Sequence, residues 1–188
     1  MTSLEYAINL INCEYKHAIE FGVYKGDSLK LMKRKLPKDI QIFGFDSFKG
    51  LPEDWRNSNG GLVGGHKTGS MSTGGVMPKI DGVKIYPGWF INTLPKYLEV
   101  ANNICLLHID CDLYNSTVQV LFHLEKWIKL GTIIVFDEWF YMHSNAYGDH
   151  EQKAFYEWTQ KFDRMFEFID FDDKSNSGEE RRIIRILN

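Results

Sequence analysis

The stretch HIDCDLYNST, residues 108–117, closes an oily run of Ile104, Cys105, Leu106, Leu107 and Ile109 with two aspartates, Asp110 and Asp112. Side chains alternate along a strand, so residues two apart leave on the same face. Two like charges about 4 Å apart cost roughly 4 kcal/mol at an effective dielectric of about 20. A second acidic pair, Asp137 and Glu138, ends the next oily run, TIIVFD at 132–137. If the two runs are neighbouring parallel strands, four carboxyls meet at one crevice, and a hard divalent cation with oxygen ligands relieves the repulsion. Read singly, each acid is equally a helix cap or a solvated loop charge. Two pairs on consecutive runs favour the crevice.

Other polar residues also follow strands. EFGVYKGDS, residues 20–28, places Gly22 and Gly26 at a tight turn ahead of a helix whose first N–H groups point at any ligand there. The spacing is not G-x-G-x-x-G, so a pyrophosphate cradle is not indicated, and a nucleoside ligand with a carboxylate needs fewer glycines. The plainer alternative is a strand–helix turn with Asp27 or Ser28 as N-cap. Asp46 ends the second strand 20 residues after Gly26, a distance at which an acid commonly accepts from ribose hydroxyls. Turn and acid together point to an adenosine-bearing cofactor. Trp89, in YPGWF after the third strand, could stack on an adenine. Phe90, Trp139, Phe140 and Tyr141 read as core or crevice wall. His108 reads as buried inside its strand, and His143 and His150, past the fifth, as substrate contacts or solvated loop side chains.

The elements that must position these residues alternate regularly. The patterns predict helices over 3–16, 27–36, 116–130 and 150–162, and strands at 17–23, 40–46, 83–86, 103–110, 132–137, 166–171 and 181–187. Strands one, two, four and five are near-continuous apolar runs, the mark of a parallel sheet covered on both faces. The expected class is α/β, an open doubly wound sheet with ligands at the carboxyl ends of its strands. Residues 47–82 break the rhythm with NSNGGLVGGHKTGSMSTGG and no periodicity, which predicts a lid over a ligand or else plain disorder.

A chain of 188 residues is expected to form one domain. Its net charge of −3 and scattered basic residues leave no footprint for nucleic acid, and Lys33, Arg34 and Lys35 read as a solvated helix face. Cys13, Cys105 and Cys111 lack metal-ligand spacing, no basic segment precedes an apolar core at the start, and no apolar run approaches the roughly 20 residues of a membrane span. A reducing, cytoplasmic setting is expected.

EFGVYKGDS, FGFDSFKGLPEDW, YPGWFINTLP, HIDCDLYNST and GTIIVFDEWF, in this order across roughly residues 18–140, together resemble the macrocin O-methyltransferase (TylF-like) family of S-adenosylmethionine-dependent enzymes, best known for methylating sugar hydroxyls. The resemblance implies the class I methyltransferase fold, a Rossmann-like, mostly parallel seven-stranded sheet. It implies a cofactor site at Glu20, Gly22, Tyr24, Gly26, Ser28, Asp46, Ser47, Trp89 and Asp110. It also implies Mg²⁺ or another divalent cation at Asp110, Asp137 and Glu138, with Asp112 as general base. The implied partner is a small molecule offering a hydroxyl, a sugar or similar vicinal-oxygen compound, without nucleic acid or membrane. The fold family allows a homodimer. Two departures stand out: the third ligand is more often Asp than Glu138, and many members carry a longer N-terminal segment over the substrate.

Three other readings fit the residues less well. LLHIDCDLY superficially matches the D-x-D nucleophile motif of haloacid-dehalogenase-type phosphatases, but Tyr114 stands where Thr or Val is required and the motif follows strand four. An NAD-dependent oxidoreductase lacks its triple glycine. A methyltransferase fold that only binds a partner is disfavoured by the intact acids and glycine turn.

Overall fold

The computed structural model describes residues 1–141, 150–171 and 179–188. Seven strands form one sheet in the order β3-β2-β1-β4-β5-β7-β6. They are β1 (His17–Phe21), β2 (Gln41–Asp46), β3 (Val83–Pro87), β4 (Ile104–Ile109), β5 (Ile133–Tyr141), β6 (Phe166–Ile169) and β7 (Glu179–Ile186). The first five are parallel, and β7 runs antiparallel to both β5 and β6. Strand order reverses between β1 and β4, which creates the crevice where doubly wound sheets take ligands.

The helices are α1 (Ser3–Asn9), α2 (Asp27–Lys35), α3 (Phe90–Leu98), α4 (Tyr114–Leu124) and α5 (Glu151–Phe162). Alternating strand residues feed two cores. Ile19, Phe21, Leu107, Ile109, Ile134 and Phe136 meet Leu94 and Tyr97 of α3, Val120 and Leu121 of α4, and Phe155 and Trp158 of α5. From the other face, Ala18, Leu106, Ile133 and Val135 meet Leu4 and Ile8 of α1 and Leu29 and Met32 of α2. Both faces of β1, β2, β4 and β5 are therefore largely dry, while the edge strand β3 is mostly uncovered. This explains why those four strands read as unbroken apolar runs.

Several boundaries differ from the sequence reading. Helix α1 stops at Asn9 instead of residue 16, because Ile11, Cys13 and Tyr15 pack on the α1–α2 core from an extended chain. Helix α4 gives way to a 3-10 turn at Glu125–Trp127. Strand β5 runs on to Tyr141 because β7 pairs along it. Helix α3 was not expected. It carries Pro95 in its interior, where proline removes an N–H donor.

Residues 47–82 form no helix or named strand, yet they are stitched together. Backbone hydrogen bonds join Leu51 to Ser70, Trp55 to His66 and Gly75 to Phe48. Trp55, Leu51 and Val63 bury against Leu113, just before α4.

Candidate active site

The cavity at the carboxyl ends of the strands measures about 730 Å³. Among the sequence-predicted residues, Gly22, Tyr24, Asp46, Ser47, Trp89, Asp110 and Asp112 line it. Leu51, Pro52 and Met71 from the long loop, Phe90 and Ile91 from α3, and Ser116 and Gln119 from α4 complete the wall.

Gly22 is where β1 turns into the cavity. Its φ is +93°, and a Cβ there would lie 1.6 Å from the carbonyl oxygen of Asp110. Only glycine lets the first loop pass this close to the end of β4. The backbone holds the approach on both sides: Gly22 N–H donates to Phe45 O at 3.0 Å, and Asp110 N–H donates to Phe21 O at 2.9 Å.

Asp46 spends most of its capacity on the protein itself. Oδ2 accepts from the N–H groups of Val23 (2.9 Å) and Tyr24 (2.7 Å), and Oδ1 from Phe48 N–H (2.7 Å). The carboxylate thus ties the loops after β1 and β2 together. It lines the cavity with limited acceptor capacity left, since a carboxylate offers about four lone-pair sites.

Three expected cofactor residues are not on the cavity wall. Gly26 is the N-cap of α2 with φ +79°, and its face meets Pro78 and Ile80 at the end of the long loop. Ser28 does not cap α2; its hydroxyl donates to Glu20 Oε1. Glu20 is fully buried in β1, where burial pushes its carboxyl up to about 8 despite the Ser28 hydrogen bond. His108, also buried, places Nδ1 3.8 Å from Glu20 and Nε2 4.0 Å from Asp137.

The acids converge, by a route the sequence did not suggest. Strand β4 ends at Ile109, so Asp110 and Asp112 lie beyond it and strand alternation does not align them. A tight turn does. Leu113 N–H donates to Cys111 O at 2.6 Å, and Asp112 between them has φ +64°. Aspartate tolerates this left-handed region better than most residues, and such strain concentrates at functional sites. Oxygens of Asp110, Asp112 and Glu138 lie within 4.8 Å of one another. Burial, and after it the neighbouring acids, raises Asp110 and Glu138 well above the ordinary carboxylate range. Glu138 Oε2 is buried with no hydrogen-bond partner. A cation fits this all-oxygen donor set.

Asp137 does not join that group. Its Oδ1 accepts from Arg181 Nε at 2.6 Å and its Oδ2 from Arg181 Nη2 at 3.2 Å. Burial works to raise its carboxyl, but His108 and the guanidinium outweigh it and hold the group at about 2. The two acids fall where the β5–β7 register shifts between Phe136 and Phe140, and Arg181 of β7 holds Asp137.

Two participants escaped the sequence reading. Arg181 had no visible signal in the run EERRII. Glu151, at the start of the helix expected over 150–162, carried no signal either. It is fully buried, and its oxygens accept from the N–H groups of Cys111 (3.4 Å) and Glu138 (3.2 Å). His150 next to it is the buried N-cap of α5. Its Nδ1 accepts from Tyr114 N–H at 3.1 Å, so Nε2 carries the proton and donates to Arg56 O at 2.9 Å. His143 lies outside the described residues.

The family model described as Macrocin-O-methyltransferase (TylF) matches residues 79–169. Demethyldecarbamoylnovobiocin O-methyltransferase of Streptomyces niveus is 27% identical over 173 residues, 82% of this chain and 62% of its own length. The chain thus spans less than two thirds of that relative. The crystal structure of CalS11, a calicheamicin methyltransferase, is 19% identical with a TM-score of 0.74, covering 97% of this chain and 77% of that one. The O-methyltransferase NovP is 22% identical with a TM-score of 0.69, covering 98% and 78%. These structural likenesses show the fold: a Rossmann-like, seven-stranded, mostly parallel sheet of the class I methyltransferase type.

Proposed function

Taking as premise that this chain is TylF-like, akin to the macrocin O-methyltransferases, we propose that it transfers a methyl group from S-adenosylmethionine to a hydroxyl of a sugar or similar vicinal-oxygen small molecule. A divalent cation, Mg²⁺ in the first instance, assists. The observation that carries the reading is the convergence of Asp110, Asp112 and Glu138 beside a cavity that opens at Gly22.

When bound, the sulfonium supplies an electrophilic methyl carbon, and the cation lowers the pKa of a hydroxyl beside it. The chain's own work is to bind, align and deprotonate. The Gly22 turn, Tyr24, Asp46, Ser47 and Trp89 wall the donor end of the cavity. Leu51, Pro52 and Met71 bring the long loop onto the cavity wall. Alignment of this kind is worth about 7–11 kcal/mol when attack geometry is held. Asp110 and Glu138 are the ligands presented to the cation, while Asp137 stays paired with Arg181. Asp112 takes the hydroxyl proton on its carboxylate, a role worth roughly 10²–10⁴-fold. Glu20 and Ser28, off the cavity wall, are joined to each other by the Ser28 hydroxyl.

The test is transfer of labelled methyl from S-adenosylmethionine into a cell extract, with mass identification of the product. Label in a hydroxyl-bearing small molecule, lost on chelation and restored by Mg²⁺, is the expected result. Transfer indifferent to chelator would remove the cation. A rise in melting temperature with S-adenosylhomocysteine and none with NAD is expected alongside.

A further inference from the structure

Helix α5 opens with an acid that the proposed reaction does not use. Glu151 is fully buried, and each of its oxygens accepts one backbone N–H, from Cys111 at 3.4 Å and Glu138 at 3.2 Å. Cys111 stands between Asp110 and Asp112 in the tight turn after β4, and Glu138 lies in β5. One carboxylate therefore clips together the two backbone segments that carry all three converging acids. The position is costly for a charge: burial first, and then the crowding by Asp112 and Asp110, pushes its carboxyl well above the ordinary range. A carboxylate is nevertheless the one side chain with two separate acceptor atoms and no donor. No amide can receive both N–H groups on two oxygens.

We propose that Glu151 is a positioning residue: by bridging Cys111 N–H and Glu138 N–H it sets the separation between the Asp110–Asp112 turn and Glu138, and with it the width of the cation-binding crevice. The inference rests on the cation reading given above. Groups hydrogen-bonded just outside a metal's ligands commonly change affinity by 10–100-fold when altered. Glu151 acts on the backbone that carries the ligands, which gives it comparable leverage.

The experiment titrates Mn²⁺ alone into the full chain by calorimetry, for wild type, Glu151→Gln and Glu151→Asp. Gln keeps the length but loses one acceptor oxygen. Asp keeps both oxygens and the charge but is one methylene short of spanning the two N–H groups. Both variants are expected to bind Mn²⁺ about 10–100-fold more weakly, while S-adenosylhomocysteine affinity stays near wild type. Wild-type Mn²⁺ affinity in Glu151→Asp, whatever Glu151→Gln does, would reduce Glu151 to a simple charge and overturn the proposal. Loss of S-adenosylhomocysteine binding in step with Mn²⁺ would also overturn it, as general unfolding. Should Glu151→Gln fail to fold, Glu151→Asp decides alone. A wild type that takes up no Mn²⁺ would instead sink the cation reading itself, and the role of Glu151 with it.

Discussion

Asp112 combines buried position, left-handed backbone and two acidic neighbours. Asparagine tolerates that backbone about as well as aspartate, so Asp112→Asn isolates the loss of charge from the loss of fold. The variant is expected to bind S-adenosylhomocysteine normally and to transfer labelled methyl some 10²–10⁴-fold more slowly. Wild-type turnover would dismiss Asp112 as base. Gly22→Ala tests the opposite kind of residue, one with no chemistry of its own. Strain at φ +93° costs about 1–3 kcal/mol before the collision with the Asp110 carbonyl is counted. Urea denaturation is expected to show a large fall in midpoint, with donor binding abolished. At this scale the sequence pointed to the acids that converge, Asp137 excepted, and was uninformative about their partners. Asp110, Asp112 and Glu138 announced themselves by following oily runs. Arg181 and Glu151 did not, because a partner contributed from a distant segment leaves no local spacing to read.

Among the elements, β1, β2, β4 and β5 were legible because burial on both faces removes any need for polar alternation. Helix α3 was hidden by Pro95, which sequence logic treats as a breaker. Its apolar face, with Leu94 and Tyr97 fully buried, overrides that cost. The 47–82 loop was readable as an anomaly only, since hydrogen bonds such as Asn115 to Glu53 (2.8 Å) and His150 to Arg56 depend on the folded partner. Trp55, 2% exposed, is the apolar anchor of that loop. Trp55→Ala is expected to cost about 3–5 kcal/mol of local packing and to open the loop. Limited proteolysis read by mass spectrometry should find new cleavage between residues 47 and 82 while the sheet stays intact.

For the molecule as a whole, the buried acids give stability a pH profile of two limbs. Asp137 sits at about 2 in the folded chain, below the unfolded value of 3.8. Its contribution is therefore present above roughly pH 4 and lost as pH falls through 2. Glu20 works the other way: it sits at about 8 folded against 4.5 unfolded. The folded state holds the extra proton in between, so stability is full below about pH 4.5 and drains as pH rises through 8. In cation-free buffer, urea midpoints are expected to decline from about pH 5 to pH 8. Glu20→Gln, which removes the titrating group, should lessen that decline. An unchanged alkaline limb would show that Glu20 does not titrate as described.

The arrangement of β5, β7 and β6 carries a consequence for how the chain comes together. Among the described residues β7 follows β6 in chain order, yet it lies inside the sheet, between β5 and β6. It also brings the guanidinium that offsets Asp137. During synthesis β6 must wait without a partner in the sheet until β7 has been made. Closure and charge balance then arrive in a single late event, so a chain severed before residue 179 would forfeit two strands together with the counter-ion of its acidic crevice.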